Sequence, residues 1–167
     1  MKTPEERVSL ARAEDEAERK AIEDIREHGV HILHVFDSEG KEPEFSYTVG
    51  LWHTHNHPEI IIIGLKEDLR HTLLNNLNLE VGQGRVFSDG SNANDVLDGY
   101  TCYFQAVPKD LYHDYLGWDR WFYGGDEFST VQMIWPNVDG IFPWDMNASE
   151  FLRWNQPVLT KKPFIFS

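Results

Sequence analysis

The sequence predicts an α+β fold in which a mostly antiparallel sheet of about five or six strands carries two or three packed helices. Short runs rich in β-branched and aromatic residues follow one another with turn residues between them, as is typical of strands. Only a few stretches show helical spacing, so strands and helices do not alternate as they do in a doubly wound parallel fold.

The chain begins with a strongly charged segment that ends at a glycine. Thr3, Pro4 and Glu6 place a hydroxyl, a proline and a carboxylate where they satisfy the free amides of a helix start. We predict a helix from there to about His28, ended by Gly29 in a left-handed conformation. The expected division is a charged helical segment over residues 1–24, either part of the body or projecting from it, and a single α+β domain over residues 25–167.

Three strands are predicted in succession, over residues 30–37, 45–51 and 59–65. The run from Ile60 to Ile63 has no polar face, so the third strand is expected to be central and covered on both sides. A helix covering the sheet is then predicted from leucines at every fourth position. These are Leu65, Leu69, Leu73 and Leu77.

The second half of the chain predicts fewer regular elements. Residues 82–98 are rich in glycine and asparagine and predict a short strand around 85–87 followed by a loop. A strand is expected over residues 100–107, and Pro108 opens a helix with aromatic residues at helical spacing. One more strand is predicted over residues 130–135.

Charge and composition exclude several classes of function. The formal net charge is −13, and no cluster of lysine and arginine offsets it, so we expect no nucleic-acid partner. No stretch reaches the roughly 18 apolar residues of a spanning helix, and residues 1–20 lack the apolar run of a signal peptide. Cys102 is the single cysteine, which fits a reducing compartment. We therefore expect a soluble cytoplasmic protein with no membrane partner.

The sharpest local cluster is His53, His55, His57 and Glu59, at every second position. In an extended segment these side chains would project to one side, within reach of a zinc or iron ion. Asn56 and Pro58 favour a turn, which would scatter them. We assign no metal, and keep metal binding by this cluster as an alternative.

Residues 124–128 spell Gly-Gly-Asp-Glu-Phe, the motif by which diguanylate cyclases bind nucleotide phosphates and magnesium. The metal-binding aspartate that such a cyclase carries in an upstream strand is missing before Trp118. We therefore interpret Gly124 and Gly125 as a sharp turn between a helix and a strand.

Large aromatic residues are concentrated around this glycine pair. Rings at helical spacing are typical of a core, although rings with a polar edge also line ligand pockets. The charged residues Asp119, Arg120, Asp126 and Glu127 stand beside them. The rings are Trp118, Trp121, Phe122 and Tyr123 before or at the turn, and Trp135 and Trp144 after it.

Several of these segments, in this order, resemble one family. They are residues 45–51, the triplet His57-Pro58-Glu59 before the isoleucine run, and residues 121–126, with shorter matches at 27–29, 97–100, 115–117, 134–136 and 142–144. The chain is identified as a member of the bacterial family known as domain of unknown function 4262, from about Ile25 to Leu159. The resemblance implies a soluble bacterial protein, leaves His53 and His55 outside the shared pattern, and supplies no activity, substrate or cofactor.

Two hypotheses of different classes follow. The first is a pocket for a small molecule or peptide, with or without catalysis, formed by His, Glu and aromatic residues. Its six candidate residues are Tyr47, His57, Glu59, Trp121, Tyr123 and Asp126. The second is an acidic protein-interaction module that uses the acidic helix before Ile25 and exposed rings. The sequence leaves open whether the protein is an enzyme, and it identifies no cofactor and no individual partner.

Overall fold

A computed structural model describes residues 15–161 of the chain. In this part, six strands form one sheet in the order β1-β2-β3-β6-β5-β4. All neighbouring strands are antiparallel except β3 and β6, which are parallel. The mostly antiparallel α+β fold is therefore confirmed, although the described residues form six α-helices, more than the two or three predicted.

The bounds of these elements are as follows. The strands are β1 (His31–Val35), β2 (Phe45–Val49), β3 (Glu59–Ile63), β4 (Asn92–Leu97), β5 (Tyr100–Ala106) and β6 (Thr130–Ile134). The helices are α1 (Glu16–His28), α2 (Leu51–His55), α3 (Glu67–Gly82), α4 (Tyr112–Tyr115), α5 (Gly117–Tyr123) and α6 (Glu150–Asn155), with a 3-10 turn over Lys109–Leu111.

Helix α1 ends as the sequence predicts. Gly29 has φ 83 and its amide donates to the Ile25 carbonyl, which closes the last turn. The helix packs on the body through buried Ala21, Ile22 and Ile25. Asp15 accepts a hydrogen bond from the Glu18 amide at the start of the described helix. The start predicted at Thr3 lies outside the described residues.

Strand β3 is central, and its five residues are all buried. Because side chains alternate along a strand, Ile60 and Ile62 pack with α3 and α6 on one face. Ile61 and Ile63 pack with α1, α4 and α5 on the other face. The prediction of a central strand covered on both sides is confirmed.

The leucine stripe predicted for α3 is only partly correct. Leu73 and Leu77 are buried, but Leu69 is 36% exposed, and Leu65 precedes the helix with φ 64. The buried stripe continues instead through Leu74 and Val81. A helix turns every 3.6 residues, so its core face alternates steps of three and four, and a strict four-residue repeat drifts off that face.

Two predictions for the second half were wrong. Residues 85–87 form no strand, and the loop predicted after them contains β4. Strand β4 lies at the edge of the sheet, and Ala93 is its single buried residue. The polar residues beside Ala93 face solvent, so the segment lacks the apolar pattern by which a strand is predicted from sequence. The helix predicted from Pro108 is divided into the 3-10 turn, α4 and α5, with Leu116 (φ −116, ψ 44) at the break between α4 and α5. None of the helices within residues 15–161 is long and apolar enough to span a bilayer.

Candidate functional site

Glu59 is fully buried at the start of β3, and its carboxylate accepts five hydrogen bonds. Three come from the backbone amides that begin α2, so the side chain caps this helix from inside the protein. The five donors are the hydroxyls of Thr48 (2.7 Å) and Tyr123 (2.5 Å) and the amides of Gly50 (3.0 Å), Leu51 (3.0 Å) and Trp52 (3.3 Å).

The local backbone explains why the cap comes from Glu59. The residue before α2 is Gly50, which has no side chain and adopts φ 118. A β-carbon there would lie 3.0 Å from the Gly29 carbonyl oxygen and 3.1 Å from Ile25, so no capping side chain fits. Burial raises the pKa of Glu59, while the hydrogen bonds from Tyr123 and Thr48 oppose that rise by favouring the charged form.

Asp119, on α5, is also fully buried, but its hydrogen bonding is very different from that of Glu59. Within residues 15–161, neither of its carboxyl oxygens has a hydrogen-bond partner. Burial, and then the charge of Glu59, raise the pKa of Asp119 well above its ordinary value. Burial and the neighbouring charge therefore both favour the protonated form of the Asp119 carboxyl.

Tyrosine hydroxyls surround the two acids. The Tyr47 hydroxyl accepts from the Trp118 amide (3.0 Å) near the start of α5, and the Tyr123 hydroxyl accepts from the His53 amide (3.0 Å). Burial first, and then the charges of Glu59 and Asp119, raise the pKa of both tyrosines, so both hydroxyls stay protonated.

Thr130 lies beside Glu59 in the parallel register of β3 and β6. Its hydroxyl is buried and has no hydrogen-bond partner of acceptable geometry, although Tyr112 lies next to it. The Tyr112 hydroxyl donates instead to the Phe128 carbonyl (3.0 Å). Buried polar groups without partners are uncommon in folded proteins, and here two of them, Asp119 and Thr130, belong to one cluster.

Aromatic rings enclose this acid cluster, which we define as Tyr47, Glu59, Tyr112, Asp119, Tyr123 and Thr130. Ring centroids lie 4.7 Å apart for Tyr112 and Phe128, 4.9 Å for Tyr123 and Phe128, and 5.0 Å for Phe122 and Tyr123. Tyr123 is partly exposed while its hydroxyl touches Glu59, so this ring extends from the surface to the buried acids. The arrangement offers carboxyl and hydroxyl oxygens as acceptors, the chemistry that recognises a positively charged donor.

The structure brings three of the six candidate residues together, namely Tyr47, Glu59 and Tyr123. His57 contacts another part of the core, where its Nε2 accepts from the Phe87 amide (2.9 Å) and burial lowers its pKa. Trp121 packs edge-on against Trp118, with ring centroids 5.5 Å apart. Asp126 accepts a hydrogen bond from Arg120 Nε (2.7 Å).

Sequence reasoning did not select Asp119, Tyr112 or Thr130 for the pocket. One signal was available, because Asp119 and Tyr123 are four residues apart and therefore share a helix face. Thr130 had no such signal, since its neighbour Glu59 is distant in sequence and adjacent only through the sheet.

The extended segment that the histidine cluster needs in order to bind metal is absent. His53 and His55 lie in helix α2, and Asn56 follows in a left-handed conformation with φ 53. His53 packs edge-on against Phe122 at 5.6 Å, while Glu59 is occupied by its five donors. Among residues 15–161, no three or more potential ligand side chains converge on a metal position.

Gly124 and Gly125 have φ 71 and φ 150, conformations that favour glycine, and they connect α5 to the segment before β6. The helix-to-strand turn predicted from the sequence is confirmed.

Comparison with known proteins identifies one family. A family model described as a domain of unknown function, DUF4262, matches residues 24–149. No curated protein and no solved structure matches the chain.

Proposed function

The chain belongs to the DUF4262 family, and we propose that it binds a compact organic cation, an ammonium or guanidinium group, between α5 and the sheet. The observation that carries the proposal is Asp119, a fully buried carboxyl without a hydrogen-bond donor on either oxygen. The cation belongs either to a small molecule or to a lysine or arginine side chain of a peptide, since both present the same chemistry.

The charge of the cluster supports a cation over other ligands. A buried carboxyl without a donor costs free energy that a positively charged donor recovers, because charged hydrogen bonds are stronger than neutral ones. Among the described residues, the charge that acts on Asp119 is the negative charge of Glu59, which also disfavours an anion. The hydroxyl oxygens of Tyr47 and Tyr123 add further acceptors close to the two acids.

Helix α5 is the element that would admit the ligand. The helical backbone is interrupted at Leu116 before α5 and at Gly124 and Gly125 after it, so α5 is a separate short segment whose displacement from the sheet would open the acid cluster. Its Asp119 and Tyr123 would move with it, whereas Glu59 and Thr130 stay on the sheet.

An acidic interaction module is the second candidate, and the surface of α1 favours it less. Arg19 pairs with Glu16 and Lys20 pairs with Asp24 on this helix, so the described face carries both signs. Two mixed pairs weaken the attraction of α1 for a basic partner. We keep the cytoplasm as the proposed location, consistent with a single buried thiol at Cys102.

A thermal-shift experiment tests the proposal with matched ligands. We expect butylammonium chloride to raise the Tm of the protein at pH 7.5, and neutral 1-butanol at the same concentration to leave it unchanged. Sodium chloride at equal ionic strength controls for screening. The Asp119→Asn variant should lose the response, because its amide cannot lose a proton to become an anion when the cation binds, and it presents its own donors.

A second arm separates the two sources of the cation. A short peptide containing lysine is compared with the same peptide containing acetyllysine, which lacks the charge. Stabilisation by the lysine peptide beyond that by butylammonium indicates a peptide site, and equal stabilisation indicates a small-molecule site. The proposal fails if no cation stabilises the protein, or if Asp119→Asn responds as the wild type does.

A further inference from the structure

A second concave feature lies away from the acid cluster, between α1, β1 and α3. It is an open groove of about 360 Å³ whose lining includes Asp24, His28, His31, His34 and His71. Four imidazoles in one groove are a notable concentration for a chain with eight histidines. His31 is occupied by Asp24, whose Oδ2 lies 2.8 Å from its Nδ1.

His34 and His71 face one another across this groove. The His34 Nε2 lies 3.1 Å from the His71 Nδ1, and the ring centroids are 5.3 Å apart. Two imidazole nitrogens that each lie about 2.0–2.1 Å from a shared metal ion are separated by about 2.9–3.4 Å for bond angles between square and tetrahedral. The observed separation fits this range, so the backbone need not move to bring two ligands to one ion.

A buried chain of hydrogen bonds holds the His34 ring in place. Its Nδ1 lies 2.6 Å from the Ser46 hydroxyl, which accepts from the Nε of fully buried Arg70 at 2.7 Å. A hydroxyl oxygen can accept two hydrogen bonds, so Ser46 can also accept from Nδ1–H of His34. With the proton on Nδ1, the Nε2 lone pair points into the groove, which is how metal-binding histidines are commonly oriented.

Burial and the neighbouring charges both act on the pKa of His34. Burial lowers the pKa of His34, Glu67 opposes that effect, and His71, Arg70 and His31 reinforce it. A lowered pKa favours the neutral imidazole, the form that binds metal. The carboxylate of Glu67, four residues before His71 on α3, adds negative charge on this side of the groove.

We propose that His34 and His71 together bind one divalent transition-metal ion of the Zn²⁺ or Ni²⁺ type, with water completing its coordination. The ion replaces the hydrogen bond between the two rings, and the proton of that bond moves to the other nitrogen of the donating ring. Because the described residues bring no third ligand to this position, the ion exchanges readily. This site shares no residue with the acid cluster and is independent of it.

Calorimetric titration of tag-free protein with ZnCl₂ at pH 7.5 tests the inference. We expect binding that saturates at one equivalent, and His71→Ala should weaken it at least about tenfold, as should His34→Gln. Ser46→Ala should weaken it by about tenfold, because the His34 ring loses its anchor. His55→Ala and His113→Ala are matched controls, since both side chains are exposed and lie elsewhere, and they should bind as the wild type does.

Imidazole nitrogen NMR on the unmodified protein gives a second measurement that does not depend on variants folding. Addition of Zn²⁺ should shift the signals of His34 Nε2 and His71 Nδ1 and leave His57 unchanged, since its Nε2 is occupied by the Phe87 amide. Unsaturable binding, wild-type affinity in His71→Ala, or loss of binding in His55→Ala alone would each overturn the inference.

Discussion

Glu59 and Asp119 show how two buried carboxyls can be accommodated differently within one cluster. Glu59 accepts five hydrogen bonds from backbone amides and hydroxyls. These bonds replace the hydrogen bonds to water that a carboxylate loses on burial, so they lower the cost of burying its charge. Asp119 has no donor, so its raised pKa favours the protonated form, which avoids the cost of a buried charge. The unfolded chain does not keep that proton, and this difference makes stability depend on pH.

The Asp119→Asn variant should therefore be more stable than the wild type at pH 7. In the wild type, the unfolded chain loses the Asp119 proton above its ordinary pKa of 3.8, while the folded protein retains it to a much higher pH. Stability then falls as pH rises through that window, by at most about 1.4 kcal/mol per pH unit. Asparagine has no proton to lose, so the advantage of the variant should be absent near pH 3 and grow above pH 4.

Urea unfolding between pH 3 and pH 8 measures this difference. Asp126→Asn is the control, because Asp126 is partly exposed and paired with Arg120, so its removal should bring no such gain. A difference between Asp119→Asn and the wild type that does not change with pH would show that Asp119 ionises normally in the folded protein.

Glu59→Gln should destabilise the protein by about 3 kcal/mol. A glutamine places an amide donor among five donors and leaves several of them without an acceptor. Tyr123→Phe removes one donor and should cost about 1–2 kcal/mol. Chemical denaturation gives both values, with Tyr100→Phe as the control because its hydroxyl bond to the Val138 carbonyl is exposed. Glu59→Gln at wild-type stability would contradict the capping role.

Helices α2 and α5 depend on other elements for their ends. They have five and seven residues, far fewer than an isolated helix needs in water. Neither has a capping side chain of its own, and their free amides are satisfied by Glu59 from β3 and Tyr47 from β2. The acid cluster therefore positions the helix starts on the sheet in addition to forming the candidate site.

The turn after α5 sets the path of the chain from this helix toward β6. We expect Gly125→Val to cost about 1–3 kcal/mol, because φ 150 is disfavoured for a β-branched residue. Gly117→Ala is the matched control, since no atom lies within 4 Å of its added carbon and its φ is outside the positive region. Thermal unfolding should separate the two variants clearly. Equal stability for both would mean that the turn can adopt another conformation.

Elements whose own residues show a clear hydrophobic pattern can be predicted from the sequence. Elements that lack such a pattern, and contacts made only through the folded sheet, cannot. The isoleucines of β3 revealed a central strand because burial on both faces removes all polar residues. Edge strand β4 had no such pattern, and α6 is a short helix whose Ser149 cap was the main local signal. In the site, Tyr47, Glu59 and Tyr123 were predicted from chemistry and resemblance, whereas Thr130 joins them only through the pairing of β3 with β6.

Across the molecule, helices pack on both faces of the sheet, and the protein as a whole is acidic. The formal charge of −13 repels nucleotide phosphates, and Asp126 of the Gly-Gly-Asp-Glu-Phe segment is engaged by Arg120. We therefore predict that the protein does not convert GTP to cyclic di-GMP in the presence of Mg²⁺, because that chemistry needs metal-binding carboxylates from more than one strand. Chromatography of the nucleotides decides this. Dinucleotide product that disappears in Asp126→Ala and Glu127→Ala would contradict it.

Carbon-13 NMR of the side-chain carboxyls, recorded at pH 7 without and with butylammonium, connects the folded structure to its proposed function in one measurement. We predict that the Asp119 carboxyl is protonated in the free protein, as burial and the charge of Glu59 require, and that it loses its proton when the cation binds. Glu59 should change little, because its five donors come from the protein itself. An Asp119 carboxyl that titrates near its ordinary pKa of 3.8 and does not respond to the cation would contradict both the buried acid cluster and the cation site.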